Sequence, residues 1–373
     1  MKEVTSNQVI SFVIVVFICN KLLILPSLLF NMVGTDGIMI VVSKLAIGVI
    51  AALIIVLSYK LCPDATFKDL LESFMGKWGF KIFCVINLIF FITKTFLVLT
   101  EGQKFMNSTI YESFDTLLFA IPMFLIGGYV AFKGLRNVAR TSEVFVRIIL
   151  IGLIFTMAIA LTVVDFSNLL PLGTHSSSQM QSADINVSMW FGNFLIVALC
   201  LGKTKYCKNF GRTMIITSVL SAALAIAFIG IYYSIFGPAS GIHQFAISEI
   251  TEFSPQIASL TKLDWFVVII WLIALAIQVI LQLWVILKLF MEVFSIRKST
   301  LFGFVFFGSL CVIFIIVSYV FSGLIEFAAY GLGIYAYILN IVSIAFLLIG
   351  IIVYMIKSKL KTGGKNERIL EKE

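Results

Sequence analysis

The chain has 373 residues, of which 61% are hydrophobic and only 12% charged, and it carries a formal net charge of +8. Soluble domains carry about 25% charged residues, and no soluble interior of this size hides so much apolar side chain, so a water-soluble globular protein is excluded. The basic residues lie between apolar runs and not on one folded surface, which excludes a nucleic-acid-binding face.

Hydrocarbon about 30 Å thick needs a helix of roughly 17–25 apolar residues. The first such run, 9–33, follows MKEVTSNQ without a cleavage pattern and is expected to stay as a membrane element. It holds Cys19-Asn20-Lys21 and then Leu25-Pro26-Ser27. Proline removes a backbone donor and crowds the carbonyl four residues back, so a kink or unwound stretch is predicted at about 20–27. Lys21 lies roughly 18 Å into this run by helix rise. A tight turn, Gly34-Thr35-Asp36-Gly37, leads into a second span at 37–60. Lys44 there is near enough to the outer side to reach headgroups.

The third span is predicted at 80–103, with Lys94 roughly 21 Å deep. A lysine at that depth must be paired, hydrated or snorkelling; otherwise it is a functional cation lining a cavity or replacing a metal ion. Glu101, two turns further along the same face, is placed nearer the outer surface and expected to be wet. The fourth span, 116–134, leads into a basic linker, GLRNVARTSEVF, suited to anionic lipid or a cytoplasmic partner. The fifth span, 144–165, ends in a polar outer segment, 166–186.

The sixth span, 187–207, is short in strictly apolar sequence and contains Gly192-Asn193 and Gly202, a second candidate break. The seventh is predicted at 213–237, followed by an outer segment at 238–262. Short helices are expected in both long outer segments. The eighth span, 264–290, carries Trp271, Leu275, Gln278 and Gln282 on one face. Its amides line a polar cavity or tie helices together; Asn193, Asn87 and Tyr129 invite the same two readings. The ninth and tenth spans are predicted at 300–322 and 333–356, with a basic tail that is flexible over 363–373.

With the amino terminus inside, only Lys104 and Lys262 among the basic residues fall in outer segments, and Lys21, Lys44 and Lys94 fall within spans. That bias predicts both termini on the cytoplasmic side and an even span count. The breaks fall in spans one and six of ten, the layout of two inverted five-helix repeats, about 9–165 and 187–356. Six cysteines without a CxxC pattern read as small buried hydrophobes. His175 and His243 are single and expected to be exposed. No Walker loop, dinucleotide fingerprint, HExxH or GxSxG occurs, so neither an enzyme nor a bound metal or cofactor is expected.

The stretch LLILPSLLF at 22–30, the segment GLRNVARTSEVF at 134–145 and Leu170-Pro171-Leu172, together with the ten-span length, resemble the spore germination permease family. Its members are B-type subunits of nutrient germinant receptors. The resemblance covers about residues 5–356 and implies a fold similar to the amino acid–polyamine–organocation transporters, an all-α polytopic membrane protein with helices one and six interrupted. It places a ligand pocket near Asn20, Lys21, Leu25 and Pro26, with Lys94, Gly192, Asn193 and Gln278. It further implies a small nutrient ligand such as an amino acid, a larger membrane A-type subunit and a lipoprotein C-type subunit as partners, and location in the spore inner membrane. Three functions stay open at this point: a ligand-sensing receptor subunit, a proton-coupled amino acid permease, and a scaffold that binds no ligand.

Overall fold

The first apolar run does not form one helix. In the structure, a computed structural model describing residues 4–19, 21–110, 115–253, 263–296 and 299–370, α1 spans Ser6–Ile18 and α2 spans Leu25–Val33. Thr5 and Gln8 form a capping box at the start of α1, satisfying amide groups that have no partner within the helix. Pro26 falls in the first turn of α2, where its missing amide costs no helical hydrogen bond. The predicted interruption of span one is thus present between Ile18 and Leu25.

The chain then runs through α3 (Gly37–Leu61), α4 (Phe67–Thr109), α5 (Thr116–Lys133) and α6 (Leu135–Ala160). The third helix starts well before the expected span. Gly76, at φ +69°, bends α4 and sets its first turns apart from the membrane-length part. The segment GLRNVARTSEVF is not a loop. Gly134, at φ +103°, makes a sharp corner, and the rest forms the opening turns of α6.

The expected sixth span is the most fragmented part of the molecule. A 3-10 turn at Val187–Trp190 precedes a five-residue α8 (Phe194–Ala198), and turns then lead to β2 (Thr204–Lys205). The short outer helices are present as α7 (Ser177–Asn186) and α10 (Ala246–Phe253); residues 254–262 lie outside the described ones. The remaining helices are α9 (Phe210–Phe236), α11 (Leu263–Phe294), α12 (Thr300–Val320), α13 (Ser322–Gly331) and α14 (Gly333–Leu370).

Among the described residues, eight helical stretches are long and apolar enough to cross a membrane. The molecule is an all-α polytopic membrane protein. Two helices form its centre: the most apolar windows of α11 and α4 are 72% and 67% buried, against 28–44% for the others. They run antiparallel. Lys68 of α4 pairs with Glu292 of α11 at 2.9 Å at one end. At the other, a Cβ on Gly102 would meet Leu275 at 3.3 Å, so glycine lets the two helices close up. The surrounding contacts are mirrored: α3 packs on α9, α6 packs on α11 as α14 packs on α4, and α6 packs on α1 as α14 packs on the 187–190 turn.

A short parallel ladder joins the two interrupted segments. Val4 and Thr5 (β1) pair with Thr204 and Lys205. Ser6 reinforces it, donating to the Lys205 carbonyl at 3.0 Å and accepting from the Cys207 amide at 2.9 Å.

Candidate functional site

A broken helix inside a membrane leaves backbone carbonyls that water does not reach, and each must find a donor. At the first break the donors come from the chain itself. The buried Lys21 ammonium turns back and donates to the Val16 carbonyl at the end of α1, where a cation also suits the helix dipole. Its amide donates to the Ile18 carbonyl at 3.1 Å. Beyond the break, the Leu23 carbonyl accepts from the Ala246 amide at 3.0 Å, and the Pro26 carbonyl accepts from the Tyr233 hydroxyl at 2.8 Å.

The second break is served from a distance. Lys94 of α4 is fully buried and donates to the Phe191 carbonyl. Its ammonium also sits 5.2 Å from the centre of the Phe90 ring, a favourable cation–π distance. The Phe191 ring faces Lys21 at 5.3 Å, so one residue links the two lysines and both breaks. Gly192 follows at φ +82°, and any side chain there would run into the Asn340 amide of α14. Asn340 in turn donates to the Ser188 carbonyl at 3.4 Å.

Buried amide groups normally find partners. Here several do not. Both side-chain polar atoms of Asn193, Gln278 and Gln282 are buried with no hydrogen-bond partner among the described residues, as is the Trp271 indole nitrogen. Gln278 and Gln282 lie on the inner face of α11, and Asn193 follows the second break. A cavity of about 70 Å³ opens beside it, lined by Lys21, Gly192 and Asn193 together with Phe17, Lys44 and Asn340. A cavity needs only some 10–15 Å³ to hold one water, so there is room for several waters or a small organic group.

The eight residues named from sequence therefore divide. Lys21, Gly192 and Asn193 line one cavity. Lys94 touches it only through Phe191, Gln278 is buried on α11, and Leu25 and Pro26 are packed at the start of α2, outside the lining. Asn20 lies outside the described residues.

Four sequence expectations are corrected. Lys44 does not reach headgroups: it is 7% exposed, pairs with Asp184 at 3.0 Å and donates to Ser188 at 2.9 Å. Depth within a span does not tell a lysine aimed at lipid from one aimed at a neighbouring helix. Glu101 is not wet: it is 3% exposed and accepts from the Trp190 indole at 2.7 Å. His175 and His243 are half-buried, each 2.9 Å from a carboxylate, Asp36 and Glu249. Tyr129 is exposed, and Asn87 bonds back to Phe83 of its own helix, so neither joins the site.

Asn340 and Tyr337, which stands 4.5 Å below the Lys44 ammonium, are additions that no sequence signal pointed to. Cys19, Cys62, Cys84 and Cys200 are buried as expected, Cys311 is half-buried, and Cys207 is exposed.

A family model described as "Spore germination protein" matches residues 3–326. No curated protein matches the chain significantly. Among solved structures, MhsT in complex with L-phenylalanine is similar at a TM-score of 0.44 and 16% identity, over 95% of this chain and 85% of that one. A likeness that loose transfers no residue roles.

Proposed function

The chain belongs to the spore germination protein family, and from that premise we propose that it senses a small germinant within the membrane and reports it to partner subunits of a receptor. The ligand, an amino acid or similar nutrient, binds beside the second break and completes the contacts that Asn193 lacks. The observation that carries this reading is the cavity at Gly192-Asn193, where a buried side-chain amide has no partner among the described residues. A ligand that bonds one arrangement of the break better than another shifts the balance between them by that difference in affinity.

The fold reading that goes with this is two inverted five-helix repeats, supported by the mirrored packing of α6 and α14. Spans one and six are then the interrupted pair, both termini face the cytoplasm, and the host is the spore inner membrane or the cell membrane. The partners are a larger membrane subunit and a lipoprotein subunit. Residues 1–362 form one transmembrane domain and 363–373 its tail, of which 363–370 continue α14.

A second reading, a proton-coupled amino acid permease, draws on Glu101. One of its buried oxygens accepts from Trp190, and the other has no partner among the described residues. Together with Lys94, two turns away, it offers a place for a proton to load and leave. Proteoliposomes containing this chain alone separate the two. Saturable ligand binding without gradient-driven uptake of labelled amino acids is expected for the sensor. Uptake that a proton gradient drives and Glu101→Gln abolishes would replace it with the permease.

A further inference from the structure

At the end of the bundle that carries most basic residues, a second cavity of about 390 Å³ lies between the end of α3 and the start of α9. It is an open groove, and three exposed cations line it: Lys60 from the last turn of α3, Lys208 just ahead of α9, and Arg212 from its first turn. None of the three pairs with a carboxylate among the described residues. Asp64, the nearest acidic residue in sequence to Lys60, is exposed and forms no ion pair with them.

The placement breaks a local rule. A helix amino terminus is the positive end of the dipole and favours acidic side chains. α9 opens with no acidic residue in its first turn, with Lys208 and Arg212 flanking the end, and with an Asn209 cap whose side chain bonds no backbone amide. Gly211 brings the backbone of that first turn to the cavity wall. Cations, a helix amino terminus and a cavity all call for the same missing charge, an anion with several oxygens.

The surface below the cavity says which kind. Arg212, Ile216 and Leu220 fall four residues apart on one stripe of α9, and Ile216 and Leu220 are 46% and 59% exposed. On α3, Leu57 and Leu61 sit three before and one after Lys60 and are 41% and 44% exposed. Strips of exposed apolar side chain therefore descend from the cationic cavity along both helices. A soluble anion uses only the head of such an arrangement, whereas a phospholipid uses both parts.

We infer that the cavity between α3 and α9 binds the phosphate headgroup of an anionic phospholipid whose acyl chains lie along Ile216, Leu220, Leu57 and Leu61. The cytoplasmic leaflet is its source, which rests on the orientation proposed above. Lipid binding itself depends on neither the sensor nor the permease reading.

The test is native mass spectrometry of the full chain with phosphatidylglycerol or phosphatidylcholine of matched acyl chains. The parent is expected to prefer phosphatidylglycerol. Lys60→Gln/Lys208→Gln/Arg212→Gln should lower its affinity by about tenfold or more, given the attraction expected per basic residue. Lys60→Arg/Lys208→Arg/Arg212→Lys keeps the charge and should keep the preference, which separates loss of the site from loss of the fold. Unchanged preference in the glutamine variant overturns the inference. So does an equal loss in Arg136→Gln/Arg140→Gln, which would reduce the effect to general surface charge. Inorganic phosphate alone is the remaining arm. If inorganic phosphate binds the parent but not the glutamine variant while the parent shows no preference for phosphatidylglycerol over phosphatidylcholine, the site serves a soluble anion and the lipid is overturned.

Discussion

The two helix breaks solve the same problem in opposite ways. At the first, two pieces of ordinary helix remain on either side, and the freed carbonyls of Val16, Ile18 and Leu23 all have donors, while Tyr233 adds a bond to the Pro26 carbonyl in the first turn of α2. The first two come from Lys21, which sits within the break. At the second, the only α-helix left is five residues long, and the donor to Phe191 comes from Lys94, 97 residues away. The Asn193 side chain in this stretch has no partner among the described residues. The first break is held in part by its own Lys21, although Ala246 and Tyr233 also reach it, and so depends less on its neighbours. One held by other helices moves when they move, and its unmet polar atoms leave work for a ligand. The second break is accordingly the responsive one.

The most forceful way to break that comparison is Gly192→Ala. A side chain there meets both a left-handed backbone, at about 1–3 kcal/mol, and the Asn340 amide, an overpacking cost of about 1–3 kcal/mol more. The expected result is a large fall in thermal midpoint and loss of ligand response. Gly173 is the matched control: it has φ +78° with nothing within 4 Å, so Gly173→Ala carries the backbone strain alone. Adding Asn340→Ala to Gly192→Ala should recover only the packing part. If Gly192→Ala costs no more than Gly173→Ala, the second break is not held by α14.

Next in size is the lysine pair. Lys21→Met and Lys94→Met each remove a hydrogen bond and leave a buried carbonyl without that donor, typically a cost of about 1–3 kcal/mol. Both should lower the thermal midpoint. Lys94→Met should also abolish the ligand response, because it loosens the break that the ligand is proposed to complete, whereas Lys21→Met, which alters the cavity wall but leaves the Phe191 carbonyl its donor, should only weaken it. Equal loss of response in the two variants, compared at matched expression, would erase the distinction between the breaks.

The first break was more legible in sequence than the second, for physical reasons. Proline states a local backbone fact, so Leu25-Pro26 located the interruption to within a few residues. Gly192 and Gly202 located the second, but not how little helix survives there, because that depends on Lys94 and Asn340 in distant spans. The same limit hid the partner of Lys44. Counting residues places a lysine at a depth, and only packing decides whether Asp184 or a headgroup meets it. The segment 134–145 was misread as a linker because its charges outweighed its helical spacing. The single glycine at 134 is enough corner to join two helices directly.

Asn193→Ala has a smaller effect of unusual sign. The side chain is buried and unpaired, so removing it should leave stability unchanged or raise it slightly, since an unsatisfied buried polar group is a cost. Ligand affinity should fall about tenfold, the worth of one good hydrogen bond. Calorimetric titration with a panel of amino acids and sugars, beside a melting curve, reads both. A lowered midpoint with unaltered binding would make Asn193 structural.

The smallest effect belongs far from both breaks. Lys68 and Glu292 join the two central helices at 2.9 Å, yet Lys68 is 46% exposed, and the pair is open to solvent screening. Exposed ion pairs are worth less than about 1 kcal/mol and weaken further in salt. Lys68→Ala should therefore shift the thermal midpoint only slightly and leave ligand response untouched. This matters because α4 and α11 are the most buried helices of the bundle and also carry Lys94, Gln278 and Gln282. If they form a fixed frame against which the second break moves, loosening their far end changes nothing at the cavity. A clear loss of response in Lys68→Ala at unchanged stability would mean that the frame itself moves. The signal would then travel through α4 and α11, not through the broken segment.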